Sequence, residues 1–264
     1  MSYHQASIGK VCVSDAKGTG QDKGQGVRYR KMYAGCVHTG ISRRILQKGE
    51  GKVRYSDDTS GIVRLSNVIP DALQEIRHHS TYNFIGDRID GYDDPIAFLT
   101  REAAQHLKGA SDAFAAMGYR IKIWDTYRPQ MAVDHFMRWA EDIADTRMKP
   151  YFYANLDKSV LIPEGYIARH SGHTRGSTVD LTLLDMRTGC EVDMGGAFDD
   201  FSERSHPDFR RISQQQYAHR MLLRDTMMHH GFRPITSEWW HFTLADEPWP
   251  DTYFTFPIKA DILS

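Results

Sequence analysis

The sequence predicts an α+β fold, a small antiparallel sheet packed against helices. Three observations carry this. Residues 96–117 and 131–143 each repeat apolar side chains at three- and four-residue spacing, the stripe of a packed helix. Ser177 to Leu184 is rich in Thr and Leu and reads as a strand. Helices come first, and strands that would pair antiparallel come late, which makes α+β the natural class. The chain has 264 residues, enough for one domain with an appendage and ample to bury a core.

The elements follow in order. Residues 1–60 read as a flexible or loosely ordered N-terminal arm. Lys17 to Gly26 is Gly-rich and polar, with nothing to bury. Val53 to Asp58 fits a short strand before a turn. Residues 61–264 read as the globular domain. Pro95 suits a helix's first turn, and Ile96, Leu99, Ala103, Leu107, Ala110, Phe114 and Met117 form its stripe until Gly118. Arg120 to Trp124 alternates as a strand, and Asp125-Thr126-Tyr127-Arg128-Pro129 turns the chain. A second helix carries Met131, Val133, Phe136, Met137, Ala140 and Ile143. Tyr151 to Pro163 is irregular. After the 177–184 strand, Asp185 to Gly189 is turn chemistry, and Cys190 to Met194 would return antiparallel. Gly195 to Pro207 is a polar loop. Ser213 caps a third helix with Tyr217, Met221, Leu222 and Met228 on its apolar face and Gly231 as its stop. Ile235 to Leu244 is a final core strand.

Composition excludes several classes. The formal net charge is −1, with acids and bases interspersed, so no basic block points to nucleic acid. The longest apolar runs are too short to span a bilayer. The N-terminus lacks the apolar core of a signal peptide, so a cytoplasmic location is expected. The three cysteines include no C-x-x-C pair, so a bound metal would take nitrogen and oxygen ligands. Oligomeric state has no signature.

The chemistry lies in two segments. Ser171-Gly172-His173 leads to Asp180, and Glu238-Trp239-Trp240-His241 follows later. Two imidazoles and a carboxylate suit a hydrolytic zinc site with an open fourth position, and a further carboxylate beside it could activate water. Placing Asp180 and His241 on neighbouring strands would bring them within about 4.5–5.5 Å at Cβ. The chain has 13 histidines, so most have no task; His78-His79 and His229-His230 read as pairs at helix or loop ends.

These segments, together with Asp193-Met194-Gly195, Phe198-Asp199, Asn83-Phe84-Ile85-Gly86, Asp90-Gly91-Tyr92 and Asp125 to Pro129, resemble the VanX-type D-alanyl-D-alanine dipeptidases, in the same order. The resemblance covers about residue 65 to the C-terminus. It implies the fold shared with DD-carboxypeptidases and hedgehog signalling domains, one zinc ion per chain and a small dipeptide substrate. His173, Asp180 and His241 would bind zinc. Glu238 would be the general base and then the acid, and Arg128 would stabilise the tetrahedral oxyanion. Ser171 and Asp199 would hold the substrate's free ammonium. Gly172 stands where relatives often carry Arg, and Ile85 where Thr is commoner.

Two alternatives stand beside this reading. One is a DD-carboxypeptidase or other peptidoglycan peptidase, which needs an open groove. The other is a zinc-binding interaction domain without turnover, against which Glu238 and Arg128 argue. Cell-wall precursor metabolism and glycopeptide resistance both fit the chemistry. One geometric step is demanding: within a strand, Glu238 and His241 would point to opposite faces. A bulge or kink within Trp239-Trp240 is therefore required.

Overall fold

A computed structural model describes residues 53–263. The predicted arm lies outside the described residues up to residue 52. In chain order the elements are β1 (Arg54–Ser56), β2 (Ile62–Arg64), α1 (Leu65–Val68), β3 (Leu73–Gln74), β4 (Phe98–Thr100), α2 (Arg101–Ala116), β5 (Tyr119–Asp125), α3 (Gln130–Glu141), α4 (Lys149–Phe152), β6 (Thr178–Asp185), α5 (Gln214–His229), β7 (Phe232–Pro234), β8 (His241–Leu244) and β9 (Thr252–Phe254). The class is α+β, as predicted.

Five strands form the central sheet in the order β3-β5-β6-β8-β7. Its pairs are antiparallel except β3 with β5. That parallel pair follows from connectivity, since the chain between the two strands travels through β4 and α2, a crossover instead of a hairpin. Outside this sheet, β1 pairs with β9 in parallel and β2 with β4 antiparallel.

The helices differ from expectation in their starts and faces. Ile96 and Leu99 do not open α2. Leu99 instead pairs with Val63 across β2 and β4. The Thr100 hydroxyl caps the helix, accepting from the Ala103 amide at 3.2 Å. Leu107, Ala110 and Phe114 are buried as predicted. In α3, Val133, Phe136, Met137 and Ala140 are buried, while Ile143 falls beyond the helix in solvent. Ser213 and Gln216 close a capping box at the start of α5. The buried positions of α5 are Arg220, Leu223 and Met227, a face rotated from the one expected, and Met228 is exposed.

Two strand expectations also change. The return of Cys190 to Met194 is reduced to a single bridge between Leu184 and Glu191. The final strand is shorter, because residues 235–240 form a loop ending in a turn at Trp239 and Trp240, and β8 starts at His241.

The C-terminal end of β5 makes the corner on which the site is built. Asp125 is fully buried. Its Oδ2 accepts from Arg128 Nε at 3.0 Å and Nη2 at 2.8 Å, and its Oδ1 accepts from the Tyr92 hydroxyl at 2.7 Å. The Arg128 guanidinium also lies over the Phe136 ring, 5.1 Å from its centroid. A forked guanidinium on a buried carboxylate has one good orientation, so this pair fixes where Arg128 points. Asp125→Asn removes the charge and leaves Arg128 largely buried beside a neutral amide. Urea unfolding should show a loss of about 3 kcal/mol; unchanged stability would contradict this view of the corner.

Candidate metal centre and active site

His173 lies in a 3-10 turn, Gly172–Arg175, whose N-cap is Ser171. The Ser171 Oγ accepts from the His173 amide at 3.3 Å and from Arg128 Nη1 at 3.5 Å. The carbonyl of His173 accepts from the Arg128 amide at 3.3 Å. Ligand turn and arginine corner are thus tied together by backbone as well as side chain. The His173 ring is oriented by the Thr126 carbonyl, 2.6 Å from its Nδ1. A carbonyl only accepts, so Nδ1 carries the proton and Nε2 presents its lone pair.

Asp180 on β6 stands directly opposite His241 on β8 in the sheet register. The three groups converge. His173 Nε2 is 3.3 Å from His241 Nδ1 and 3.2 Å from Asp180 Oδ2, and His241 Nδ1 is 3.1 Å from Asp180 Oδ1. One donor atom from each residue lies within 4.8 Å of the others.

This donor set fits zinc. A tetrahedral zinc with bonds of about 2.0–2.1 Å keeps its donors about 3.3–3.4 Å apart, close to the separations seen here. Asp180 Oδ1 is buried and accepts no hydrogen bond among the described residues. Buried polar atoms are ordinarily satisfied, and a cation among these donors would satisfy this one. Burial works against the Asp180 charge, but the flanking imidazoles hold its carboxyl far below the usual carboxylate range.

Glu238 sits in the loop before the Trp239–Trp240 turn, and its Oε2 is 3.4 Å from His241 Nδ1. The turn resolves the opposite-face difficulty, because Glu238 never joins the strand. Both tryptophans are buried, Trp239 edge-on to Trp124 and Trp240 edge-on to Phe198. The Glu238 side chain is 37% exposed, so it lines the open side of the centre. Burial of its carboxyl group raises its pKa; His241 opposes this and Asp180 adds to it.

Asp199 adopts a left-handed backbone, φ 58°, the one non-glycine positive φ among the described residues. Its Oδ2 is buried without a hydrogen-bond partner. Burial pushes its pKa well above the usual range. The charges of Asp180 and Glu238 reinforce the shift, and Arg128 opposes it. Asp199 therefore shares the electrostatic field of the centre.

Six of the seven residues singled out in the sequence are joined by contacts of 4.0 Å or less, and Asp199 is linked to them by charge. Sequence reasoning missed their supports. Asp125, Tyr92 and the Thr126 carbonyl hold Arg128 and His173. The Asp125-to-Arg128 spacing was the available signal for the first of these. His78, read as a residue without a task, is wholly buried among Phe84, Tyr92 and Phe136, with its Nε2 3.6 Å from Asp125 Oδ2. Burial lowers its pKa to about 3, so it is neutral at physiological pH.

Comparison with known proteins places this chain in a family. A family profile described as D-ala-D-ala dipeptidase, of peptidase family M15, matches residues 58–259. A D-alanyl-D-alanine dipeptidase of Enterococcus faecalis is 40% identical over 200 residues, which is 76% of this chain and 99% of that one. One from Streptomyces coelicolor is 42% identical over 194 residues, 72% of this chain and 96% of that one. A solved structure of the vancomycin resistance D,D-pentapeptidase VanY, a point mutant in complex with Zn(II), is 18% identical. It covers 57% of this chain and 74% of that one with a TM-score of 0.35, a likeness too loose to decide anything further. The two dipeptidases are matched almost end to end, and the matched span holds every residue of the centre: this chain belongs to the D-Ala-D-Ala dipeptidase family of M15 peptidases.

Proposed function

We infer that this chain is a zinc metallopeptidase that hydrolyses D-alanyl-D-alanine and similar small D,D-dipeptides. One observation carries the reading beyond family membership. A zinc-type donor triangle, a carboxylate beside it, a buttressed arginine and a second carboxylate with an unpartnered buried oxygen share one site.

His173, Asp180 and His241 hold the metal in this reading. When bound, zinc supplies Lewis acidity, polarising the scissile carbonyl and acidifying water. Glu238 takes the proton from the attacking water and returns it to the leaving amine. Burial raises its pKa, the direction that favours returning the proton to the amine. Arg128 presents its guanidinium to the developing oxyanion. Asp125 pre-sets that orientation, so little reorganisation is needed as charge appears. Asp199 pairs with the substrate's free ammonium, which favours the ionised carboxylate that burial disfavours. Ser171 supports both Arg128 and the substrate's amino end. Among the described residues no helix is long and apolar enough to cross a membrane, and the substrate is a small diffusible dipeptide. A cytoplasmic location accords with such a substrate.

Glu238→Gln should retain zinc while kcat falls by about 10² or more, the usual worth of a general acid–base. Near-normal turnover with zinc retained would remove Glu238 from the mechanism.

Selectivity provides the second test. An N-acetyl cap would leave Asp199 buried and unpaired, so N-acetylated dipeptides should be turned over negligibly relative to D-Ala-D-Ala. Faster release of D-Ala from an N-acetylated tripeptide would establish a DD-carboxypeptidase instead. Stoichiometric zinc with no turnover of either would establish a binding domain.

A further inference from the structure

Arg220 projects from the inner face of α5 and is 1% exposed. Among the described residues no carboxylate forms an ion pair with it. Its Nε donates to the Met194 carbonyl at 2.6 Å and its Nη1 to the His206 carbonyl at 2.8 Å. Those two carbonyls bracket residues 195–205, the loop that carries Asp199. We infer that Arg220 is the positioning residue for Asp199, pinning both ends of its loop and so setting affinity for the substrate's ammonium end. This inference rests on the dipeptidase reading.

The surroundings fit such a clamp. Burial, with Arg204 nearby, lowers the Arg220 pKa only to about 10, so the group stays cationic at neutral pH. An unpaired buried cation is costly unless its donors are used; two of its nitrogens are spent on this loop, and Nη2 is buried with no hydrogen-bond partner among the described residues. The guanidinium also lies 5.7 Å from the Trp239 ring centroid. The Trp239 amide donates to the Ser205 carbonyl at 2.9 Å, and the Ser205 hydroxyl donates to the Asp200 carbonyl. Neighbouring turns of α5 reinforce the grip: His219 Nδ1 is 2.8 Å from the Asp193 carbonyl, and Gln216 Nε2 donates to Asp193 Oδ2 at 2.9 Å. At Gly196 the loop passes so close that an added Cβ would lie 3.0 Å from Arg220 Nη2. The left-handed backbone of Asp199, a conformation Asp tolerates better than most residues, lies between the two pinned ends. Lysine has one donor centre and cannot span both carbonyls.

The test uses the zinc-loaded full chain and steady-state kinetics on D-Ala-D-Ala, with zinc content and melting temperature measured alongside. Arg220→Lys should raise KM by about tenfold or more, with kcat and zinc little changed, because remote binding is lost uniformly from ground and transition states. On an Asp199→Asn background the same change should add less than about twofold, since the group it positions has already been removed. Arg220→Gln, which also cannot reach both carbonyls, should reproduce the KM rise should Arg220→Lys fail to fold. A KM at the wild-type value in a folded Arg220→Lys or Arg220→Gln protein overturns the inference. So does a loss that multiplies fully with Asp199→Asn, which marks a general structural role. Wild-type protein inactive on D,D-dipeptides would refute the functional reading itself and this inference with it.

Discussion

The site depends on one backbone constraint, the antiparallel register that sets Asp180 opposite His241. A slip of one residue between β6 and β8 would turn one of these side chains to the other face of the sheet and separate the pair. The register is held by burial on both sides of it. Val179, Leu181 and Leu183 of β6 and Phe242 and Leu244 of β8 are core residues, and Thr178 and Thr243 join their hydroxyls at 2.9 Å across the strands. The third donor comes from outside the sheet. His173 reaches the same point because its turn is tied to the β5 corner through Thr126 and Arg128. The core therefore sets the geometry of the donor triangle, and little is left to the flexibility of the side chains themselves.

Electrostatics then give the centre its character. Asp180, Glu238, Asp199 and Asp125 are gathered around a single guanidinium, that of Arg128, which Asp125 already occupies. Such a concentration of carboxylates in a partly dry site is unfavourable without further cations. In the proposed reading zinc would supply one, and the ammonium of a free dipeptide another. Burial raises the pKa of both Glu238 and Asp199; the charges of Asp180 and Glu238 add to the rise at Asp199, whereas His241 opposes it at Glu238. The catalytic and selective roles proposed for these residues thus share one feature, negative charge placed where metal and substrate would bring the compensation.

Much of this was legible in the sequence because the signals are local. The Ser213 cap of α5, the Gly118 stop after α2 and the β6 strand each announce themselves within a few residues. His173, Asp180, Glu238 and His241 stood out by type and spacing. What escaped depends on contacts distant in the chain. The pairing of β1 with β9 joins the beginning and end of the described chain and leaves no local signature. Glu238 was placed on a strand because Trp239 and Trp240 look like core strand residues. They are core residues, but they reach it from a turn. The face of α5 was misjudged because Arg220 is charged, and apolar periodicity passes over a cation that is buried for its hydrogen bonds. His78 and Asp125 were missed for a similar reason: each draws its meaning from partners that only the fold supplies.

The central claim is that two imidazoles and one carboxylate, held by the sheet and the β5 corner, bind the catalytic zinc. X-ray absorption at the zinc edge of the purified protein tests it most directly. The account predicts one zinc per chain in a four-coordinate shell of nitrogen and oxygen at about 2.0–2.1 Å, with two imidazole scattering signals that fall to one in His241→Ala. A sulfur scatterer at about 2.3 Å, or a shell unchanged by His241→Ala, would contradict it.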